Sequence, residues 1–296
     1  MSGPRVVVVG DVMQDVVARV DGPLAIGSDT PARIEWTGGG QAANTAAWFA
    51  AAEPSLEVVL VGRVGDDPAG REAAAGLRAL GVDARLAVDE SLSTGTCLVL
   101  VGPDGERTML PDPGANVALA PGDLGSDLLR AGDHLHVAGY ALVREGPRPA
   151  ALAAIAAARE AGASVSLDPS SAALLSEGSL QLVRGSVDLL LPNSDEAAVL
   201  SGVSGPEAAG VALSAAFPEV VVTLSEGGAL WTDGREVVRV EAVADAIVVD
   251  STGAGDAFAA GFIAARLGGA DSEAALRSAA ALAARAIAAP GARPRL

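Results

Sequence analysis

The clearest sign of chemistry in this chain is a carboxylate that follows two glycines at the start of a helical pattern. An apolar run ends at Asp250, Gly253 and Gly255 come next, and an Ala-rich helical pattern begins after Asp256. Glycines before a helix let the backbone approach a ligand and leave the first helical N–H groups free, which creates an anion site. A carboxylate beside that anion is suited to taking a proton, and the two together serve phosphoryl transfer to a hydroxyl. An ordinary glycine-rich turn capped by the aspartate explains the same spacing.

A second glycine-rich stretch precedes another predicted helix nearer the N-terminus. Gly38, Gly39 and Gly40 could present backbone N–H groups to a ligand, and Asn44 in the first turn could hydrogen-bond it. A plain flexible turn is the alternative. Asp15, soon after the first apolar strand, is either a carboxylate that accepts hydrogen bonds from a polyol or a solvated loop acid.

Asn193 and Glu196 lie three residues apart at the start of a helical pattern that follows an apolar strand. Both side chains could project toward one point, such as a hydrated cation. A capping box, with Asn at the N-cap and Glu at the third helical position, accounts for the same pair without a metal. The sequence leaves both interpretations open.

The composition excludes several classes of protein. All 20 basic residues are Arg, so a Walker-A lysine, a protein-kinase strand lysine, a Schiff-base enzyme and a pyridoxal-phosphate enzyme are excluded. One cysteine rules out a disulfide framework and a thiolate zinc cluster, and His134 and His136 alternate along an apolar run as strand residues do. A net charge of −17 argues against a nucleic-acid or acidic-membrane partner. The turn after the first strand also lacks the glycine fingerprint of a dinucleotide-binding protein.

The N-terminus enters a strand pattern at Arg5 without the features of a signal peptide. No uncharged apolar run approaches the ~18 residues of a membrane span. We therefore expect a cytoplasmic protein with no transmembrane segment.

The order of apolar runs predicts the fold. Predicted strands at Val6–Val9, Glu57–Val61, 133–137, 164–167, 187–191 and 220–224 alternate with predicted helices at about 41–52, 68–80, 147–161, 171–184 and 206–216, and two Ala-rich helices close the chain. This rhythm indicates a single α/β domain over 1–296, with a doubly wound, mostly parallel sheet and helices on both faces. Two hairpins outside the rhythm, at about 12–37 and 94–111, are expected to form a small β-sheet lid. The second is predicted to turn at Asp104-Gly105.

Four motifs in one order resemble the PfkB/ribokinase family of carbohydrate kinases. They are the stretch Gly38–Asn44, the Asn-x-x-Glu of Asn193–Glu196, the stretch Thr223–Gly228 and the stretch Asp250–Phe258. The likeness spans essentially the whole chain. It implies a ribokinase-like fold and ATP-dependent phosphorylation of a sugar hydroxyl.

The resemblance assigns the reacting groups and the sugar-binding residues. Asp256 would be the base, and Gly253, Ala254 and Gly255 would give their N–H groups to the transferring phosphoryl. The implied sugar ligands are Asp15, Gly39, Gly40 and Asn44.

The resemblance also implies the nucleotide and cation sites. The nucleotide would contact Asn193, Thr223, Ser225, Gly227, Gly228 and Gly255. Glu196 would order Mg²⁺ through water. Asp250 and Thr252, with the 286–291 region, match positions that hold a monovalent cation in potassium-activated members, so K⁺ is a further expected ligand. The lid strands would close over the sugar and form a homodimer contact.

Departures from the family pattern bear on the substrate. Gln41 stands where ribokinases usually carry Lys, and the strand ending Gly139-Tyr140 lacks their sugar-binding Glu. These departures argue against ribose itself, and a ribose-like pentose, a hexose or a sugar acid is the expected acceptor. Arg107 could reach an anionic substrate from the lid or be a solvated hairpin residue. The alternatives are a nucleoside kinase, in which Trp36 could stack on a base, and a regulator that binds nucleotide or sugar without turnover.

Overall fold

Two sheets dominate the computed structural model, which describes residues 5–103 and 106–295. The strands in chain order are β1 (Arg5–Val9), β2 (Met13–Val20), β3 (Ala32–Gly39), β4 (Glu57–Gly65), β5 (Asp83–Asp89), β6 (Gly95–Val101), β7 (Arg107–Asp112), β8 (His134–Ala138), β9 (Ser164–Asp168), β10 (Leu189–Leu190), β11 (Glu219–Thr223), β12 (Ala229–Thr232) and β13 (Val237–Val240). The large sheet has the order β13-β12-β11-β10-β9-β8-β1-β4-β5. Only the pairs β11–β12 and β12–β13 are antiparallel, so the predicted mostly parallel sheet is confirmed.

Helices cover both faces of the large sheet. They are α1 (Gln41–Ala52), α2 (Pro68–Ala79), α3 (Tyr140–Val143), α4 (Arg148–Ala161), α5 (Ser194–Ser201), α6 (Pro206–Leu213), α7 (Ala254–Leu267) and α8 (Ser272–Ile287). The valines of β1 explain the two layers, since successive strand side chains point to opposite faces. Val6 and Val8 pack with α1, α2, α7 and α8, whereas Val7 and Val9 pack with α4, α5 and α6.

The small sheet consists of β3-β2-β6-β7 and confirms the predicted pair of hairpins. The strands pair antiparallel within each hairpin, and the parallel pair β2–β6 joins the hairpins. Its inner face buries Cys97, Val99 and Val101 against Met13 and Val17. The predicted Asp104-Gly105 turn lies outside the described residues.

Two predictions about secondary structure are wrong. The helix expected at 171–184 is an irregular segment with two short 3₁₀ turns, Ala172–Leu174 and Gln181–Val183. Gly178 between them has φ 89°, which breaks a helix. Strand β5 was missed because it is an edge strand with charged residues at positions 83, 85 and 89, which hide the apolar alternation. No helix among residues 5–103 and 106–295 is long and apolar enough to cross a membrane.

Candidate active site

The site lies where the carboxyl ends of the central parallel strands meet, the usual position for ligands in a doubly wound sheet. Asp11 follows β1, Asp168 ends β9, and Asn193 follows β10. The carboxylate of Asp11 accepts hydrogen bonds from the N–H groups of Gln41 (3.1 Å) and Ala42 (3.2 Å). It therefore fixes the start of α1 against the end of β1.

The N-terminus of α7 forms one wall of the site. Gly253 has φ 78°, and a Cβ there would lie 2.3 Å from the carbonyl oxygen of Ala292, so only glycine fits. Among the described residues, the N–H groups of Gly253 and Gly255 have no protein acceptor, whereas that of Ala254 donates to the Ser251 carbonyl oxygen at 3.3 Å. Two unpaired N–H groups at a helix N-terminus can bind an anion.

Asp256 lies in the first turn of α7 and faces α1. One carboxylate oxygen accepts from Asn44 Nδ2 (3.1 Å) and the other from Thr45 Oγ1 (3.3 Å). Burial, followed by the negative charge of Asp168, raises the pKa of Asp256 well above its usual range, and the Asn44 hydrogen bond opposes the rise. A carboxylate with a raised pKa beside an anion site is suited to accept a proton.

A half-buried arginine orients this pair and was missed in the sequence. Arg293 donates from Nε to Asn44 Oδ1 (3.1 Å) and from NH2 to the Gly39 carbonyl oxygen (2.7 Å). Because arginine only donates, Asn44 must turn its oxygen toward Arg293 and its NH₂ toward Asp256. Burial lowers the pKa of Arg293 to about 10, so the guanidinium stays charged at neutral pH.

A larger cavity of about 540 Å³ lies between α1, the small sheet and the segment after β8. Asp15, Gly40, Asn44 and Asp256 line it, so three of the predicted sugar-site residues come together there. Gly39 is not in the lining but backs it, since a Cβ on Gly39 would lie 2.1 Å from Asp15 Oδ1. Burial raises the pKa of Asp15 to about 6.

A smaller cavity of about 220 Å³ continues beyond Asp256. Asn193, Glu196 and Thr223 line it together with Gly253, Ala254 and Gly255. Four residues belong to the linings of both cavities, namely Gln41, Ser170, Gly253 and Asp256. The carboxylate of Asp256 and the N-terminus of α7 at Gly253 therefore lie at the junction of the two cavities.

Asn193 and Glu196 form the capping box that the sequence left as one of two alternatives. Glu196 N–H donates to Asn193 Oδ1, and Asn193 N–H donates to Glu196 Oε2, both at 2.9 Å. Burial and then the charge of Asp168 raise the pKa of Glu196, and burial raises that of Asp168. Both carboxylates line the smaller cavity, and a divalent cation between them would relieve their repulsion.

The residues therefore fit a Mg²⁺ ion held partly by water and phosphate oxygens, which is the usual mode for this ion. Within residues 5–103 and 106–295, no group of three or more His, Cys, Asp or Glu side chains forms an all-protein cage. Asp168 was not selected from the sequence. The signal available there was its position at the end of a buried parallel strand.

Gln41, which replaces the usual lysine, has both ends of its amide bonded. Its Nε2 donates to Asp168 Oδ1 (2.7 Å), and its Oε1 accepts from Ser170 Oγ (2.5 Å). Ser170 N–H also donates to Asp168 (2.9 Å). Gln41 thus fixes Asp168 without adding a charge.

The remaining predicted nucleotide residues lie farther out. Ser225 and Gly227 form a 3₁₀ turn between β11 and β12, and Gly228 follows it. Gly228 has φ 82°, and a Cβ there would lie 2.0 Å from the Val240 carbonyl oxygen. Within the described chain, none of these three residues lines either cavity.

Asp250 and Thr252 hydrogen-bond to each other, and both accept hydrogen bonds from Arg107 of the small sheet. Asp250 Oδ1 accepts from Thr252 N–H (3.0 Å) and from Arg107 NH1 (2.9 Å). The same guanidinium donates to Thr252 Oγ1 and, through NH2, to Ser251 Oγ (2.5 Å). Arg19 NH2 lies 3.8 Å from Asp250 Oδ2. Arg107 is therefore bonded to this turn rather than free in solvent, and it occupies part of the oxygen acceptors that Asp250 and Thr252 would offer to a monovalent cation.

Comparison with known proteins decides the family. A model described as pfkB family carbohydrate kinase matches residues 4–296. The chain belongs to this family. This PfkB-family kinase is 36% identical over 280 residues, 92% of its own length and 88% of the relative's, to an ATP-dependent ribose-1-phosphate kinase of Halopiger xanaduensis. The predicted recognition, a carbohydrate kinase of ribokinase-like fold, is confirmed.

Solved structures agree with this assignment. The kinase superposes on adenosine kinase from Sinorhizobium meliloti with a TM-score of 0.88 and 28% identity, covering 99% of this chain and 96% of that one. It superposes on Arabidopsis thaliana ribokinase complexed with ribose and ATP with a TM-score of 0.82 and 27% identity, covering 98% and 94%. These relatives include kinases of sugars and of a nucleoside, so the family alone does not name the acceptor.

Proposed function

We propose that this PfkB-family kinase transfers the γ-phosphoryl group of ATP to a hydroxyl of a sugar that binds in the larger cavity. The observation that carries the proposal is the junction of the two cavities, where Asp256 and the N-terminus of α7 meet. A base and an anion site at the border between acceptor and donor are what phosphoryl transfer requires.

In the proposed reaction, Asp256 accepts the proton of the sugar hydroxyl as its oxygen bonds to the γ-phosphorus. The bond from that phosphorus to the bridging β,γ-oxygen breaks, and ADP leaves. The free N–H groups of Gly253 and Gly255 would stabilise the charge on the transferring group, with Ala254 contributing less because its N–H bonds Ser251.

On the donor side, we propose that the ATP phosphates occupy the smaller cavity beside Asn193 and Thr223. Mg²⁺, when bound near Asp168 and Glu196, would neutralise phosphate charge. The base and ribose of ATP would extend past the turn of Ser225, Gly227 and Gly228. These three residues would therefore contact the outer part of the nucleotide.

On the acceptor side, the cavity favours a sugar over a nucleoside. Tyr140 is the only aromatic side chain lining the larger cavity among the described residues, which is too few to sandwich a purine. Trp36 lies on the small sheet with 63% of its surface exposed and does not line the cavity. Asp15, Asn44 and the backbone at Gly40 offer the polar groups that a polyol needs.

The small sheet is proposed to act as a lid and as a dimerisation surface. It contributes Asp15, Cys97, Met109 and Pro111 to the larger cavity, so its movement would open or close that cavity. Its outer face carries exposed apolar side chains, which a second copy of the chain would cover.

The test is ADP release from ATP and Mg²⁺ over a panel of ribose, fructose, sugar phosphates, sugar acids, adenosine and other nucleosides. Asp256→Asn runs beside the wild type. We expect one class of sugar to react, and Asp256→Asn to lower kcat by at least ~10²-fold, as loss of a general base does. Nucleotide binding, measured by calorimetry, should be nearly unchanged.

Turnover in Asp256→Asn equal to that of the wild type would remove Asp256 from the role of base. A substrate found only among nucleosides would support the nucleoside-kinase alternative. ATP binding without turnover on any substrate would support the non-catalytic regulator.

A further inference from the structure

Arg144 is the one half-buried arginine whose guanidinium makes no hydrogen bond or ion pair to residues 5–103 and 106–295. All 20 basic residues of the chain are arginines, and all lie in the described ranges. Three other arginines also make no hydrogen bond or ion pair through the guanidinium to the described chain, and all three are exposed: Arg184, Arg235 and Arg285. Arg144 is half-buried, and its guanidinium lies over the ring of Tyr140, 5.8 Å from the centroid, in a cation–π arrangement.

The unpaired guanidinium lines the larger cavity, together with Tyr140 and Ser171. Among the described residues, it is the only basic side chain in that lining, which also contains Asp11, Asp15 and Asp256. The Ser171 hydroxyl makes no hydrogen bond to the described chain and does not cap the 3₁₀ turn that follows it. Since Arg144 lines the cavity and its N–H groups have no acceptor in the described chain, they are available to a ligand that offers one.

From this geometry we propose that the sugar substrate carries a second, anionic group, a phosphate or a carboxylate, which Arg144 binds at the end of the cavity away from the reacting hydroxyl. The proposal rests on the proposed function and narrows its substrate class. Arginine presents a planar fork of donors that matches both kinds of anion.

Charge supports the same conclusion. The chain has a net charge of −17, and the larger cavity holds three carboxylates. Arg293 lies near these carboxylates but outside the lining, so Arg144 is the basic side chain of the described lining that could offset the charge of an anionic sugar. Burial raises the pKa of Asp11, and the positive charge of Arg144 is among the influences that oppose this rise. Offsetting those carboxylates is the competing role for Arg144, and it predicts equal effects on neutral and anionic sugars.

The experiment compares matched neutral and anionic sugars. ADP release is measured with ribose, ribose 1-phosphate and ribose 5-phosphate, and with glucose, gluconate and 2-keto-3-deoxygluconate. The proteins are the wild type, Arg144→Gln, Arg144→Lys and the control Arg184→Gln, which removes an exposed, unpaired arginine outside both cavities. Because the Arg144 guanidinium makes no hydrogen bond to the described chain and its contact with Tyr140 is partly exposed, the variants should keep a melting temperature close to that of the wild type.

We expect an anionic sugar to be the best substrate. Arg144→Gln should raise its KM by about 10- to 100-fold, the effect of losing hydrogen bonds to a charged group, with kcat nearly unchanged. Arg144→Lys should recover part of that loss, and Arg184→Gln should match the wild type. Comparison of the ribose phosphates with the sugar acids identifies whether a phosphate or a carboxylate is bound.

Either of two results overturns the inference while leaving the kinase assignment intact. One is a wild type that prefers the neutral member of each pair. The other is an Arg144→Gln variant that loses kcat/KM equally on neutral and anionic sugars. A binding experiment tests the inference independently of turnover. Calorimetry measures the binding of ribose 1-phosphate and of 2-keto-3-deoxygluconate to Asp256→Asn and to Asp256→Asn/Arg144→Gln. Weaker binding in the double variant supports the inference even without turnover, and equal binding overturns it.

Discussion

At the scale of single residues, the hydrogen bonds on Asp256 set how the proposed base titrates. Burial and the charge of Asp168 raise the pKa of its carboxyl, and the hydrogen bonds from Asn44 and Thr45 lower it. A base acts when deprotonated, so kcat/KM must fall as the pH falls through this raised pKa.

We therefore expect the acid limb of the wild-type kcat/KM profile to lie above the range of an ordinary aspartate, which is about 3.9. Asn44→Leu, which removes the donor at 3.1 Å, should move the limb to higher pH. The matched variant Thr45→Val, which removes the donor at 3.3 Å, should move it less in the same direction. A profile that is unchanged in Asn44→Leu would show that another group controls the limb.

The residues of the site were predictable from sequence where their chemistry was local. Gly253, Gly255 and Asp256 lie within four positions, so their proximity follows from one turn. Arg293 and Arg144 were not predictable, because the Asn44 that Arg293 contacts and most of the cavity that Arg144 lines come from segments far away in the chain. Arg293 lies 249 residues from the Asn44 that it orients.

At the scale of elements, the second hairpin reaches the anion-binding turn through Arg107 of β7. The guanidinium contacts Asp250, Ser251 and Thr252, directly before Gly253. Arg107 is 25% exposed and Asp250 10%, so the pair is better shielded than a surface ion pair.

We predict that Arg107→Ala lowers kcat/KM by roughly 3- to 10-fold, as expected for one hydrogen-bonded ion pair. The wild type should be equally active in K⁺ and in an organic cation of the same ionic strength, because the guanidinium already neutralises Asp250. Arg107→Ala should acquire activation by K⁺. Arg33→Ala, which removes an exposed ion pair with Asp21 on the same sheet, is the control. Strong K⁺ activation of the wild type would contradict this interpretation.

Elements were predicted well where apolar periodicity was strong. The buried valines of β1 and the Ala-rich α7 were identified at nearly their observed positions. The helix expected at 171–184 failed because helix-forming residues there are interrupted by Gly178 and serines. Strand β5 was not predicted because its pairing with β4 at the edge of the sheet, rather than its own apolar pattern, determines it.

At the scale of the whole molecule, the outer face of the small sheet is an apolar surface. Trp36, Val16, Leu98 and Leu110 form one row across its four strands. Trp36, Leu98 and Leu110 are 63%, 39% and 51% exposed, with Ile34 beside them. Contiguous exposed apolar residues of this kind mark interaction surfaces.

We expect the wild type to be a dimer by size-exclusion chromatography with light scattering. Trp36→Glu/Leu98→Glu should be a monomer, because two buried charges would face each other across the interface. Ile26→Glu changes a residue that is 93% exposed and outside the row, and should remain a dimer. A monomeric wild type would refute dimerisation through this face.

Two buried histidines should lower the free energy of unfolding as the pH falls. Burial lowers the pKa of His134 to about 4 and that of His136 to about 3. Below pH 6.5 the unfolded chain binds protons that the folded chain does not, so stability falls as the pH falls from 6.5 toward these values. The limiting slope is about 1.4 kcal/mol per pH unit for each histidine.

Urea unfolding at pH 7.5, 6.0 and 5.0 measures this slope. In His136→Leu, the slope of the unfolding free energy against pH should be smaller than in the wild type by about the contribution of one histidine. The buried aspartates, whose pKa values are raised, contribute the opposite sign, and comparing the two proteins cancels their part. Identical slopes would show that His136 is protonated in the folded state.

The small sheet also connects the two ligands thermodynamically. Through Asp15 it borders the acceptor cavity, and through Arg107 it holds the turn that would bind the phosphates. If the sheet acts as the proposed lid, one closed position would therefore improve both binding sites at once. By reciprocity, the factor by which sugar tightens the nucleotide must equal the factor by which the nucleotide tightens sugar. If the sheet opens when no sugar is bound, the same linkage would weaken the phosphate site, and ATP would be exposed to fewer hydrolytic encounters before its acceptor binds.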